Sequence, residues 1–314
     1  MQAMEALKAN VLPMRVKLFF NPGAGADDDS DQQILDIIKE MQAWKFIPEL
    51  YLIEPDSNLP EVVEAAIAQG IDLFVVCGGD GTVASVTKAL VGSNATLGIV
   101  PAGTQNNVAL SLNIPIDIPA AIALLRTGRC LKIDLGMVTC NDVSTPFIEL
   151  CSVGLFSMLF PSGDDIQHGN VASIGEFLGI LTTAPPSDIH LFLDDNREIN
   201  ELGHAALISN MPYIGRNYKV GAADAYHDGL LDVMFFSDLS KLDLIGYILS
   251  GVGTDSPEDP RIQHYRVRKI IIDTEPSMSV MADGQSLGEG SVRIEVLQQA
   301  LTVMVGTTKS NEGK

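Results

Sequence analysis

The sequence predicts two domains of different class. Residues 1–130 should form an α/β domain on a parallel sheet, and residues 131–314 an antiparallel β-sandwich or barrel. Three observations lead there. A chain of 314 residues holds about two domains. Strand-like and helix-like segments alternate as far as Arg129, the signature of a parallel sheet with helices on both faces. From Leu131 onward the segments read almost wholly as strands.

The first half opens with the apolar run Val16–Phe20, followed by Asp31–Ala43, whose apolar residues Ile34, Leu35, Ile37, Ile38 and Met41 repeat with helical spacing. Leu50–Ile53 is strand-like. Leu59–Gln69 is helical and stops at Gly70. Ile71–Cys77 and Leu97–Val100 are short apolar strands, and Val83–Val91, Gln105–Leu112 and Ala120–Thr127 are helices. The second half offers strands at Leu131–Thr139, Phe147–Cys151, Ile189–Leu193, Ala205–Ser209, Leu231–Phe236, Val267–Asp273, Ser279–Ala282, Val292–Val296 and Leu301–Val305, with helical interruptions at Val171–Leu181 and Lys241–Leu249.

Forty acidic against twenty basic residues give a net charge of −20, which argues against a nucleic-acid binder. The chain is nonetheless 46% hydrophobic, so disorder is not expected. Its apolar runs are far shorter than the ~20 residues of a membrane span. The N-terminal segment lacks a signal-type apolar region. Cys77, Cys130, Cys140 and Cys151 form no CxxC pair and read as reduced packing residues of a cytoplasmic protein.

In the first domain, three strands run into glycine-containing turns: NPGAG (Asn21–Gly25), GGDGT (Gly78–Thr82) and PAGTQNN (Pro101–Asn107). In an open parallel sheet such turns share the carboxyl edge, where ligands bind. Glycine lets backbone approach an anion and supplies positive φ. A helix N-terminus adds amide donors, and Thr82 and Thr104 suit N-caps. Together these describe a polyphosphate cradle, although no Walker A or GxGxxG pattern is present. Asp80 stands out because a carboxylate repels phosphate. It either orders the turn, contacts Mg²⁺, manages a proton or simply caps the helix.

VVCGGDGTV (Val75–Val83) followed by GIVPAGTQNN (Gly98–Asn107) resembles the catalytic domain of diacylglycerol and sphingosine kinases, with the layout of the bacterial soluble lipid kinases. HDGLLDV (His227–Val233) and the segment Ala282–Val305 resemble that family's β domain. The resemblance implies an ATP- and Mg²⁺-dependent kinase of a lipid hydroxyl such as that of diacylglycerol, with nucleotide in the cleft between domains and a last strand near 300–306 that returns to the first domain. It assigns nucleotide contact to Asn21, Gly79, Asp80, Gly81, Thr82, Gly103, Thr104 and Asn106. It makes Asp283 and Asp80 the catalytic carboxylates, with Asp283 the general base, and puts Asp228 in a Mg²⁺ loop where Asp224 could be a second ligand.

The lipid would be reached by transient contact of a cytoplasmic, peripheral protein with the bilayer, and Leu150–Phe160 could line its site or simply be core strand. A homodimer is left open. The basic stretch Arg261–Lys269 could meet headgroups or phosphate, or be a solvated strand face with Arg266 and Arg268 side by side. Two departures stand out: Asn107 and His227 occupy positions where the family commonly has aspartate. They keep open a non-catalytic nucleotide- or lipid-binding protein, and a kinase of a soluble acceptor such as NAD remains a further alternative.

Overall fold

A computed structural model describes residues 11–22, 30–157, 186–214, 218–237, 239, 243 and 261–306. The chain forms two compact units, Met1–Ile133 with Ala300–Lys314, and Asp134–Gln299.

The first unit is built on β1 (Met14–Phe20), α1 (Ser30–Ala43), β2 (Phe46–Leu52), α2 (Leu59–Ala68), β3 (Leu73–Gly78), α3 (Asp80–Leu90), β4 (Thr96–Pro101), α4 (Asn107–Ser111) and α5 (Ile118–Thr127). The strands pair in parallel in the order β2-β1-β3-β4. Phe20 lies opposite Cys77, and Gly78 opposite Pro101, so the three glycine turns leave one edge from adjacent strands. Val16, Leu18, Trp44, Val75, Cys77 and Val100 are buried together as the core. Their short apolar runs form strands because both sheet faces are covered.

The second unit begins within β5 (Arg129–Cys140) and continues with β6 (Val143–Phe147), β7 (Leu150–Gly154), β8 (Ser187–Leu193), β9 (Arg197–Gly203), β10 (Ala205–Ser209), β11 (Tyr213–Ile214), β12 (Tyr218–Lys219), β13 (Leu231–Phe236), β14 (Ile262–Val267), β15 (Lys269–Glu275), β16 (Ser279–Ala282), β17 (Gln285–Glu289) and β18 (Val292–Val305). One antiparallel sheet runs β14-β13-β10-β7-β16-β17. The first half of β18 pairs with β15, β15 with β8, and β8 with β9, again antiparallel. Val153, Ile208 and Val233 from the first sheet meet Leu191, Ile270 and Ile294 from the second in one buried core, which makes the unit a β-sandwich. The distal end of β18, at Thr302 and Val303, pairs in parallel with β4 in the first unit.

Several expected boundaries move for local reasons. The single strand expected over Phe147–Cys151 is broken, because the Asp283 carboxylate accepts the amides of Ile148, Glu149 and Leu150. The strand expected over Val267–Asp273 breaks at Arg268, where Asp194 Oδ1 accepts the amides of Arg268 and Lys269. That bend also removes Arg268 from the strand it was expected to share with Arg266. By contrast, Val292–Val305 is one strand through Gln299 at φ 51°. β9 and β17 do not stand out in the sequence because both are sheet edges with mostly exposed residues, so they carry no alternation. Val171–Leu181, Thr307–Lys314 and, apart from Asp243, Lys241–Leu249 lie outside the described residues.

Cys77, Cys140 and Cys151 are buried and Cys130 is exposed, which corrects the view of all four as packing residues. Burial pushes the Cys77 thiol up to about 12 and raises Cys151 further. A thiol reagent at neutral pH should therefore label one cysteine in the native protein and four after denaturation, as mass spectrometry would count.

Candidate active site

At the carboxyl edge of the first sheet, the second and third turns are built against each other. A Cβ on Gly103 would lie 2.4 Å from Gly79 Cα, so position 103 must be glycine for the backbones to approach, and a Cβ on Gly79 would press Gly103 Cα at 3.2 Å. The amide of Ala102 donates to Gly78 O at 3.1 Å. Asp80 fastens the pair: its Oδ2 accepts the amide of Asn107 at 3.0 Å and its Oδ1 that of Val108 at 3.1 Å. Burial raises the Asp80 carboxyl, and these backbone donors pull it back down.

Asn106 sits in the left-handed region at φ 56° and grips its own turn. Its Oδ1 accepts Gly103 N–H at 3.0 Å while its Nδ2 donates to Gly103 O at 2.7 Å. The first turn is joined to the second by Asn21 Nδ2 donating to Thr82 Oγ1 at 3.1 Å. Thr82 is therefore no N-cap: it lies inside α3, whose cap is Gly79. Thr104 is exposed and the cap of α4 is Asn106. Gly78, Gly79, Gly81 and Gly103 are absent from the residues with positive φ, so at Gly78, Gly79 and Gly103 close approach rather than left-handed backbone favours glycine. Gly81 is exposed, and a Cβ added to it would meet nothing within 4 Å. Residues 23–29, which hold the rest of the first turn, are outside the described residues.

Asp80→Asn is expected to weaken ATP binding and rate together. In the same pose asparagine turns its NH₂ toward one of the two amides, of Asn107 or Val108, so the third turn loses half of its anchor. Leaving one buried amide unpaired costs about 1–3 kcal/mol. Calorimetric titration with ATP, alongside a melting curve, measures both effects.

In the second unit, Asp283 occupies the β16–β17 hairpin at φ 44°. Its Oδ2 accepts Ile148 N–H at 2.8 Å, and its Oδ1 accepts Glu149 and Leu150 N–H at 2.9 and 3.2 Å. Leu150–Gly154, the start of the expected lipid-lining segment, is a fully buried strand, and residues 158–160 are not described.

Asp228 and Asp224 flank the short helical turn Ala225–His227. Asp228 Oδ1 accepts Leu230 N–H at 2.9 Å and its Oδ2 accepts the Arg266 guanidinium. Asp232 Oδ2 accepts Ala222 N–H at 3.3 Å, and its Oδ1 lies 3.4 Å from Arg266 Nε. Burial raises both carboxyls, and Arg266 opposes that shift. Asp224 is exposed. Among the described residues no three acidic, histidine or cysteine side chains converge on a metal position. The expected pair Asp228 and Asp224 thus does not fit a resident Mg²⁺ in this arrangement, because the oxygens of Asp228 are engaged.

The sequence did not point to Asp134. Its side chain is buried, with Oδ2 accepting Gly229 N–H and Oδ1 accepting Gln299 N–H, both at 2.7 Å. A lone acidic residue inside the strand-like run Leu131–Thr139 was the available signal.

The fold and turns thus define a class: a parallel α/β unit with a paired glycine-turn cradle, joined to a β-sandwich. Residues 15–138 match the diacylglycerol kinase catalytic domain, and residues 171–305 match the YegS C-terminal NAD kinase beta sandwich-like domain. The chain thus carries both domains in succession. It is 28% identical over 250 residues to a diacylglycerol kinase of Mycobacterium tuberculosis strain H37Rv, covering 77% of this chain and 80% of that one. A Bacillus subtilis diacylglycerol kinase is 21% identical over 277 residues, covering 86% and 89%. The crystal structure of a diacylglycerol kinase from Bacillus anthracis shares the fold, with a TM-score of 0.71 at 21% identity over 95% of this chain and 98% of that one.

Proposed function

We propose that this chain is an ATP-dependent lipid kinase, transferring the γ-phosphoryl group of MgATP to the hydroxyl of a lipid such as diacylglycerol. The observation that carries the reading is the cradle in which Asp80 and two facing glycines hold GGDGT against PAGTQNN. Backbone amides at such turns suit phosphate, and Mg²⁺ arrives with the nucleotide as part of the substrate. Phosphoryl transfer needs positioning and charge stabilisation more than covalent chemistry. Asn21, Gly79, Gly81, Thr82, Gly103 and Thr104 contact nucleotide in this reading, while Asp80 and Asn106 act by fixing the turns. The lipid hydroxyl oxygen attacks the γ-phosphorus, the bond to the ADP oxygen breaks, and Asp283 takes the hydroxyl proton. No helix among the described residues is long and apolar enough to cross a membrane, and in this reading the lipid is met by transient contact with a bilayer.

The named relatives and the family's catalytic domain support the lipid acceptor. The description of the second domain as NAD kinase-like favours testing a soluble acceptor as well. γ-Labelled ATP offered with diacylglycerol, a sphingoid base, other lipid alcohols and NAD separates the readings. Label in lipid supports the proposal. Label in NAD replaces it, and ATP binding without transfer to any acceptor makes the chain a non-catalytic binding protein.

A further inference from the structure

The basic stretch Arg261–Lys269 has no part in the proposed reaction, and three of its charges are spent inside the second unit. Arg261 pairs with Asp243 at 2.9 Å and Lys269 with Asp195 at 2.8 Å. Arg266 stands directly opposite Asp232 across β13 and β14, and its guanidinium joins Asp232 to Asp228. These carboxylates are largely shielded, their side chains 17% exposed for Asp228 and 11% for Asp232. Two anions so placed repel each other unless a cation lies with them.

We infer that Arg266 is the resident cation of the 221–232 loop and does there what a bound divalent ion would do. The guanidinium suits this role because it is planar, always charged and able to donate to two carboxylates at once. The rest of the loop is tied by other contacts. Asp134 holds the Gly229 amide, and Gly229 itself is at φ +78°, where a Cβ would strike Gln298 Nε2 at 2.7 Å. The order of this loop therefore depends on an arginine carried by the chain and not on a metal from solution. Arg266 is a positioning residue in this scheme, and it acts through Asp228 and Asp232. The inference holds whichever acceptor the protein uses.

The test is thermal unfolding of the full chain without nucleotide, in chelator and in millimolar Mg²⁺, for the wild type and for Arg266→Met. The wild-type midpoint should be the same in both buffers. Arg266→Met keeps much of the length of the side chain but leaves the two carboxylates unneutralised. Its midpoint should fall by about 2–4 °C in chelator, the response of a domain this size to the loss of one such contact, and Mg²⁺ should restore it. Arg266→Lys should remain insensitive to Mg²⁺. A wild-type midpoint that rises saturably with Mg²⁺ would overturn the inference, and that measurement stands even if no variant folds. An Arg266→Met midpoint equal to wild type would also overturn it. So would a loss that Mg²⁺ does not restore, since the arginine would then act by packing.

Discussion

Asp283→Asn should lower turnover by about 10²–10⁴-fold, the usual worth of a general base, while ATP affinity stays within a few-fold. The same substitution should cost stability, and by more than the turn position alone suggests. Asparagine tolerates the left-handed backbone that Asp283 adopts at φ 44°. Judged as a turn residue it would be nearly neutral. Yet the carboxylate accepts three amides, from Ile148, Glu149 and Leu150. Asparagine offers one acceptor oxygen and turns its NH₂ toward another donor. An unsatisfied amide there costs about 1–3 kcal/mol, or about 2–4 °C of melting midpoint per kcal/mol for a domain of this size. A loose phosphoryl-transfer transition state asks the carboxylate to orient the hydroxyl and take its proton, not to generate an alkoxide beforehand. Rate and melting midpoint measured on one sample decide the matter. Normal turnover per folded molecule would leave Asp283 as a brace for the Ile148–Leu150 bend and nothing more.

Gly81→Val should abolish ATP binding and leave the fold intact. Gly81 is the second residue of α3, exposed and outside the left-handed region, and a Cβ there would meet nothing within 4 Å. Neither packing nor backbone conformation requires glycine at this place. Judged by the protein alone, Gly81→Ala should even stabilise the helix, by about 0.5–1 kcal/mol. In the proposed function, the glycine serves a ligand whose phosphates approach the helix start. Calorimetry on Gly81→Ala and Gly81→Val, each with a melting curve, tests this. Unchanged ATP affinity in the folded valine variant would refute the cradle.

Much of the architecture was legible from local pattern. The alternation of apolar runs with helical spacing marked the parallel unit, and the turns GGDGT and PAGTQNN marked the carboxyl edge of its sheet. Boundaries failed where a distant side chain captured backbone amides, as Asp283 does at Ile148–Leu150 and Asp194 at Arg268–Lys269. Edge strands such as Arg197–Gly203 failed because exposure on both faces erases alternation. Thr82 looked like a cap because its neighbours permit one, yet the helix starts two residues earlier at Asp80.

The sequence by itself determined which residues were candidates for the chemistry: glycines in successive turns, carboxylates at three turns, and a succession of elements fit for an α/β unit beside a sandwich. Only the tertiary structure decided what those carboxylates hold. Asp80 found its amides 27 and 28 residues away, Asp283 its amides 133–135 away, and Asp228 its arginine 38 away. Residue type and spacing report what a side chain can donate or accept. The partner is set by which backbone the folded sheets bring within hydrogen-bond distance, and that information is not local to either residue.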